Sequence, residues 1–214
     1  GSFGCSCALA AWASRQRLLR NELTHRVKNT LMAIQSIVQL TWRRSTSPEQ
    51  FIERLNGRIG ALAQAHNLLS ETEWQGADLR SLIVGQTDGY AGKIPSRLHL
   101  HGEAVLLPPH VATPFGMVLH ELAINAAKYG ALSGDKGTVD LSWQVDNEGG
   151  ARILTAIWQE QNGPPVQKPP AEGFGSRLIR EGLPRAAVEH EFRPEGVRCT
   201  IKVGIDPAPG ETAI

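Results

Sequence analysis

The sequence predicts an α+β fold in which a helical hairpin, residues 14–75, precedes a mixed domain, residues 76–206. The first part is rich in Leu, Ala, Arg, Gln and Glu and has one break, at 45–48, as expected for two helices joined by a turn. In the second part, short alternating segments separated by Gly and Pro mostly follow one another without an intervening helix. That order favours helices packed on one face of an antiparallel or mixed sheet.

The composition is that of a globular protein and excludes several classes. Apolar residues make up 41% and charged residues 20% of the 214 residues, so a disordered or fibrous chain is not expected. With 22 Lys and Arg against 21 Asp and Glu, the net charge of +1 gives no indication of nucleic-acid or membrane-surface binding. The three cysteines, Cys5, Cys7 and Cys199, lack the paired spacing of a zinc site or disulfide scaffold, which favours a reducing cytoplasm.

The N-terminal apolar segment 3–12 is too short to span a membrane, and no basic stretch precedes it as in a signal peptide. We interpret it as the end of a helix that arrives from an upstream segment, with a frayed native terminus as the alternative. No membrane span is expected in this fragment.

Each arm of the hairpin carries one apolar stripe at three- and four-residue spacing. The stripes consist of Leu23, Val27, Leu31, Ile34 and Val38 in the first arm and of Phe51, Leu55, Ile59, Leu62 and Leu69 in the second. Two helices cannot cover both stripes, so we expect a second pair to pack on them, as in a homodimer that forms a four-helix bundle.

The second part is predicted to contain three helices and five strands. The helices are 77–90, a segment that starts at Pro109 or Thr113 and ends at Tyr129, and 176–182, and the strands are 97–101, 104–107, 138–145, 153–158 and 197–205.

His25 lies about 160° around the first helix from its apolar stripe, so it is predicted to face solvent. Asn29 shares that face, and Arg26 and Lys28 flank the imidazole and can hold an anionic group beside it. Neutral imidazole is nucleophilic near pH 7, which suits phosphoryl transfer, although a lone exposed histidine is ordinarily only solvated. His66, by contrast, falls on an apolar stripe and is assigned no role.

The helix that ends at Tyr129 carries three polar functions on one face, Glu121, Asn125 and Lys128, at positions i, i+4 and i+7. An Asn carbonyl suits Mg²⁺, a Lys ammonium suits phosphate, and a carboxylate can orient a metal-bound water or accept a proton. The alternative is an ordinary solvated helix face.

Two glycine turns follow this helix, and they favour a nucleotide site over a solvated face. Gly163 comes shortly after a strand that ends in Glu160, and Gly173 and Gly175 open a helix at Ser176. Glycine lets backbone amides approach phosphate, and a helix N-terminus favours negative charge. The Glu160 carboxylate can accept a hydrogen bond from an adenine amino group. The spacing matches neither the Walker nor the Rossmann fingerprint.

Four segments together resemble the HWE family of bacterial sensor histidine kinases. They are ELTHRVKNTL at 22–31, HELAINAAKYGALS at 120–133, WQE at 158–160 and GFG at 173–175. The family takes its name from a His in the Asn-bearing helix and a Trp-x-Glu motif, here His120, Trp158 and Glu160. The resemblance covers nearly the whole chain, from about Leu18 to Ile205.

The resemblance implies a dimerisation and phosphotransfer hairpin followed by an ATP-binding domain of the Bergerat type, an α/β sandwich. His25 would be the phosphoacceptor, Asn125 the Mg²⁺ ligand, Glu121 a metal-water or acid/base residue, and His120 a brace. The implied ATP-binding residues are Asn125, Lys128, Tyr129, Glu160, Gly163, Gly173, Gly175 and Ser176.

The implied cofactors are ATP and Mg²⁺, and the implied partners are a response-regulator receiver domain, an upstream sensory domain and a second copy of the chain. Two alternatives stay open. One is a non-enzymatic phosphotransfer scaffold with a degenerate ATP domain, and the other is a Bergerat-fold ATPase or Ser/Thr kinase that uses the hairpin only as a dimer clamp.

Three positions depart from the family pattern. Asn162 stands where glycine is usual, although Asn tolerates left-handed backbone geometry. Pro184 predicts an early end of the last helix. Thr24 occupies a position often filled by Asn beside the phosphoacceptor.

Overall fold

The computed structural model describes residues 20, 24, 27–43, 45–88, 97–165, 174–183 and 185–207. Helices and strands both contribute, which confirms the α+β prediction. The chain divides into two compact units, one up to Leu55 and one from Asn56 onward. The boundary predicted near residue 76 is a different division, set by the end of the hairpin, and it stays a prediction.

The first unit contains the turn between the two helices of the hairpin. Residues 27–42 are helical (α1), and α2 runs over Pro48–Glu71 and begins in this unit. The Ser47 hydroxyl accepts a hydrogen bond from the Gln50 amide at 3.2 Å, while the Gln50 side chain accepts one from the Thr46 amide at 2.9 Å. These reciprocal bonds satisfy amides at the start of α2, so the break lies where the sequence predicts it.

Part of the first apolar stripe is exposed in the single chain. Val27 is 51% and Leu31 60% exposed, as expected of a stripe that one hairpin cannot cover. At the other end of the arm, Trp42 and Phe51 pack edge to face with ring centroids 5.3 Å apart.

In the second unit, the buried face of α2 includes Leu62 and Leu69 of the predicted stripe but not Ile59. Ile59 was predicted on the stripe but is 36% exposed, whereas Arg58 is 5% exposed. The buried face of α2 is centred on the small residues Ala61 and Ala65, which let neighbouring helices approach closely. The Ala61 carbonyl accepts a 3.0 Å hydrogen bond from Nε2 of Gln86, which fixes α2 to the next helix.

A five-stranded mixed sheet forms the centre of the second unit. Its strands, in spatial order, are β2 (Leu98–His101), β4 (Thr138–Glu148), β5 (Ala151–Gln161), β7 (Gly196–Gly204) and β6 (Ala187–Arg193). Strands β2 and β4 are parallel, and the other pairs are antiparallel, in agreement with the predicted mixed sheet.

Three helices and a small ladder complete this unit. The helices are α3 (Leu79–Thr87), α4 (Pro109–Lys128) and α5 (Phe174–Glu181), a 3₁₀ turn covers Ala131–Ser133, and β1 (Ala77–Asp78) pairs with β3 (Leu106–Leu107). Of the two predicted starts of α4, Pro109 is the correct one. The helix predicted from Ala77 begins instead at Leu79, because the Asp78 carboxylate caps it by accepting the Ser81 amide at 2.8 Å.

Strand β6 was not predicted. Its sequence, AVEHEFR, has charged residues at alternate positions, and none of its side chains is fully buried, because it is an edge strand. The strand therefore lacks the apolar alternation that would predict it.

The core of this unit lies between α4 and the sheet. Phe115, Leu119 and Leu122 of α4 belong to one buried cluster with Leu154 and Trp158 of β5. One helix face is therefore fixed against the sheet, and this fixes the direction of the polar residues farther along α4. Among the described residues, no helix is long and apolar enough to cross a membrane.

Candidate nucleotide site

Helix α4 carries its three predicted polar residues along a gradient from core to solvent. Glu121 is 4% exposed, Asn125 is half-buried, and Lys128 is exposed in the last turn. The helix thus brings a carboxylate, an amide and an ammonium group to successive turns of one face.

The glycine turn meets this face at Gly175. A Cβ built on Gly175 would lie 2.6 Å from Oε2 of Glu121 and 3.7 Å from Nδ2 of Asn125. Any side chain at position 175 would therefore collide with the carboxylate. Three residues that were predicted to share a site, and that lie far apart in sequence, come together here, at the first turn of α5.

Glu121 also has a partner that the sequence analysis missed. Nε of Arg58, in α2, donates a 2.7 Å hydrogen bond to Oε1 of Glu121, and the two side chains are only 6% and 5% exposed. The sequence signal was a charged residue in phase with the buried positions Ala61, Leu62 and Ala65 of α2.

His120 lies beside this ion pair in the core. Its Nε2 is 3.0 Å from the position that a Cβ on Gly57 would occupy, so the two helices pass each other closely here. Burial lowers the pKa of His120 below 6.5; the neighbouring Arg58 lowers it further and Glu121 opposes the shift. The imidazole is therefore neutral at pH 7, and its location fits a brace between α2 and α4.

The Trp-x-Glu motif forms a second buried cluster at the end of β5. Oε2 of Glu160 accepts a 2.8 Å hydrogen bond from the Ala131 amide, and Oε1 accepts one of 3.3 Å from Nε1 of Trp158. Burial raises the pKa of Glu160, while the two hydrogen bonds counteract that shift. Each carboxylate oxygen has two lone pairs, so Glu160, although only 1% exposed, retains unused acceptor capacity.

Glycines let the backbone close around the Glu160 carboxylate. A Cβ on Gly130 would collide with its Oε2, and a Cβ on Gly163 would lie 2.5 Å from Cα of Ala131. Asn162, the departure from the family pattern, has φ 56°, so it adopts the left-handed conformation that glycine would supply.

Arg97 secures the loop that follows the Asn-bearing helix. Its Nε donates to the Gly137 carbonyl at 2.8 Å, and Nη2 donates to the carbonyls of Ala131 at 3.1 Å and Gly134 at 2.6 Å. The loop is thus held from one side by a guanidinium and from the other by Glu160.

Some of the remaining predicted residues lie at or near the site, and others fall outside the described residues. Tyr129 is 69% exposed next to the site, and Ser176 is half-buried in the first turn of α5. The Thr24 hydroxyl donates to the Arg20 carbonyl at 2.8 Å and so bonds its own helix. His25, Gly173 and Pro184 lie outside the described residues.

The residues at the site fit a magnesium nucleotide better than a resident metal centre. Within the described part of the chain, no group of three or more His, Cys, Asp and Glu side chains is arranged to hold a metal ion. Asn125 and Glu121 are oxygen donors of the kind that Mg²⁺ accepts when phosphates supply its other ligands.

Comparison with known proteins gives consistent similarities. The family described as HWE histidine kinase matches residues 22–104. A blue-light-activated histidine kinase of Brucella ovis is 32% identical over 197 residues, which cover 91% of this chain and 40% of that protein. Its counterpart in Brucella anthropi is 34% identical over 183 residues, which cover 84% of this chain and 37% of that protein. The chain thus spans roughly two fifths of the length of these relatives.

Solved structures show the same fold. The blue-light activated histidine kinase of Erythrobacter litoralis EL346 superposes with a TM-score of 0.63 at 19% identity, covering 86% of this chain and 58% of that one. The histidine kinase domain of the same protein gives a TM-score of 0.56 at 14% identity, covering 83% of this chain and 94% of that domain.

Proposed function

Because the chain belongs to the HWE histidine kinase family, we propose that it binds ATP with Mg²⁺ and phosphorylates His25. The phosphohistidine then passes its phosphoryl group to an Asp of a response-regulator receiver domain.

The observation that carries this proposal is the convergence of Glu121, Asn125 and Gly175. Oε2 of Glu121 and Nδ2 of Asn125 lie 2.6 and 3.7 Å from the position of a Cβ on Gly175, so the polar face of α4 adjoins the glycine turn. A turn of this kind leaves backbone amides accessible to phosphate oxygens at the start of a helix.

In the proposed reaction, a P–N bond forms between the terminal phosphoryl group and the His25 imidazole while the P–O bond to ADP breaks. Bound Mg²⁺ would neutralise charge on the phosphates. Asn125 would supply its carbonyl oxygen as a ligand to the ion and Lys128 would contact a phosphate, while Glu121 would orient a water near the ion or accept the imidazole proton. Positioning and charge neutralisation supply most of the rate enhancement.

The base subsite is proposed on the other side of the α4 C-terminus. Glu160 accepts the adenine amino group, while Tyr129 and the turn at Gly163 border the nucleotide. The second turn, Gly173 to Ser176, wraps the phosphates.

We further propose a cytoplasmic homodimer controlled by an upstream sensory domain. The exposed residues Val27 and Leu31 support association through the hairpin, because a second copy would remove them from water. A length of roughly two fifths of the relatives leaves room for a sensory module in the complete protein.

The test is incubation with γ-labelled ATP and Mg²⁺, with His25→Ala in parallel and the product treated with acid and alkali. We expect an acid-labile, alkali-stable label that is lost in the variant. A label that survives acid would indicate a Ser/Thr kinase, and tight ATP binding without any label would contradict autophosphorylation by this chain.

The alternative of a degenerate scaffold depended chiefly on Asn162. Its left-handed φ of 56° supplies the backbone conformation that the turn needs, so this departure no longer favours the scaffold. A titration with ATP separates the two functions, since a degenerate domain would not bind it.

A further inference from the structure

We propose that Arg58 is a positioning residue for phosphoryl transfer: from α2 it holds the Glu121 carboxylate so that Oε2 faces the glycine turn at Gly175. The inference deepens the proposed function and rests on it. On this inference, the second helix of the hairpin contributes a residue that orients a side chain of the nucleotide site.

The burial of the pair gives the first argument. With the two side chains only 6% and 5% exposed, neither charge is compensated by bulk water. A buried carboxylate is strongly unfavourable unless a cation or several donors face it, and Arg58 provides that cation at 2.7 Å.

The two oxygens of Glu121 give the second argument, because they have different surroundings. Oε1 accepts the hydrogen bond from Arg58, whereas Oε2 is the atom nearest to the position of a Cβ on Gly175. Fixing one oxygen fixes the rotation of the whole carboxylate. The guanidinium therefore determines where the second oxygen points.

The support of Arg58 gives the third argument. One turn farther along α2, the carbonyl of Ala61 accepts the 3.0 Å hydrogen bond from Gln86 of α3, and Ala65 and Leu69 are fully buried. The residue before Arg58, Gly57, lies against His120. The guanidinium is thus carried by a helix segment that is fixed on both sides, as a positioning group must be.

The experiment compares Arg58→Met, Arg58→Lys, Glu121→Gln and the double variant Arg58→Met/Glu121→Gln. Single-turnover labelling at saturating ATP measures phosphoryl transfer, and titration with a fluorescent ATP analogue measures binding. Arg193→Met is the control, because it removes an arginine whose contact with Glu191, at 2.6 Å, is similarly short but on the partly exposed edge strand β6.

If Arg58 acts through Glu121, Arg58→Met lowers the labelling rate by about tenfold or more while the dissociation constant changes by less than about threefold. Arg58→Lys restores part of the rate. In the Glu121→Gln background, adding Arg58→Met causes little further loss, because the group that it positions is already absent. The control retains the wild-type rate.

Three results would overturn the inference while leaving the proposed function intact. They are an unchanged rate in Arg58→Met, a faster rate, which would make Arg58 a restraint on Glu121, and effects of the two single variants that multiply in the double variant. If Arg58→Met does not fold, the double variant, which buries no unpaired charge, and Arg58→Lys still decide the question. A wild-type chain that binds ATP but forms no phosphohistidine would contradict the proposed function itself.

Discussion

Nε1 of Trp158 donates a hydrogen bond to Oε1 of Glu160, two residues later on strand β5, at 3.3 Å. Alternate residues of a strand share a face, so the Trp-x-Glu spacing puts both side chains into the same core. The indole supplies one donor and the Ala131 amide the other. The motif therefore ties β5 to the turn after α4 and places Glu160 in the proposed base subsite.

The first prediction concerns Glu160→Gln and pH. Burial raises the pKa of Glu160 above its ordinary value of 4.5. At a pH between the unfolded and the folded pKa, the folded chain therefore retains a proton that the unfolded chain has already lost. The stability that this contributes is fully present below about pH 4.5 and is lost as the pH rises through the folded pKa. Each unit of the shift corresponds to about 1.4 kcal/mol.

Urea unfolding of both proteins between pH 4 and pH 8 provides the measurement. The free energy of unfolding of the wild type minus that of Glu160→Gln is expected to fall as pH rises, and then to level off. Other ionisable groups cancel in this difference. A difference that rises with pH would show that the two hydrogen bonds outweigh burial.

The second prediction concerns the loop held by Arg97. Arg97→Met removes three hydrogen bonds to the carbonyls of Ala131, Gly134 and Gly137, and should destabilise the chain by about 1–3 kcal/mol. Amide hydrogen exchange in residues 131–137 should accelerate more than in β4 or β5. Arg152→Met, at an exposed position of β5, is the control. Equal effects of the two substitutions would contradict the proposed loop contact.

The third prediction compares two glycines of α2 that are one turn apart. Among the described residues, no atom other than those of the adjacent residues and of the nearby α2 backbone lies within 4 Å of a Cβ built on Gly60, so Gly60→Ala should stabilise the chain by about 0.5–1 kcal/mol through helix propensity. A Cβ on Gly57 would meet Nε2 of His120 at 3.0 Å, so Gly57→Ala should lose that gain or destabilise the chain. Thermal unfolding of the two variants tests the contrast, and equal stabilisation would show that α2 does not pack against His120 in solution.

The fourth prediction concerns Cys199 of β7. Burial raises the pKa of its thiol to about 12, so very little nucleophilic thiolate exists near pH 8. In a Cys5→Ser/Cys7→Ser background, iodoacetamide should leave the native protein unmodified and label it in urea. Rapid labelling without denaturant would indicate that β7 opens locally on the timescale of the reaction.

Much of the architecture was predictable because the signals were local. The alternation in β4 and β5, the apolar face of α4 and the break at 45–48 each depend on residues that are close in sequence. The left-handed tolerance of Asn162 is also local, and its φ of 56° agrees with the expectation.

The pairing of Arg58 with Glu121 was not predictable in the same way. The two residues are 63 positions apart, and no pattern in either helix identifies the other as its partner. The sequence pattern predicted that the apolar Ile59 would be buried and the charged Arg58 exposed, whereas the structure shows the reverse. Burial of the arginine depends on a carboxylate from another helix, which is a tertiary effect that outweighs the local pattern.

The edge strand β6 has a consequence for colloidal behaviour. In the described part of the chain, no strand pairs with its outer side, so a strand of another molecule can add to the amide and carbonyl groups there. Glu189 and Glu191 alternate along this strand, so an antiparallel copy of β6 paired about His190 would bring Glu189 opposite Glu191. This repulsion protects the sheet from edge-to-edge assembly. Replacing both glutamates by glutamine removes this repulsion, and the protein should then become prone to association through this edge before its core unfolds.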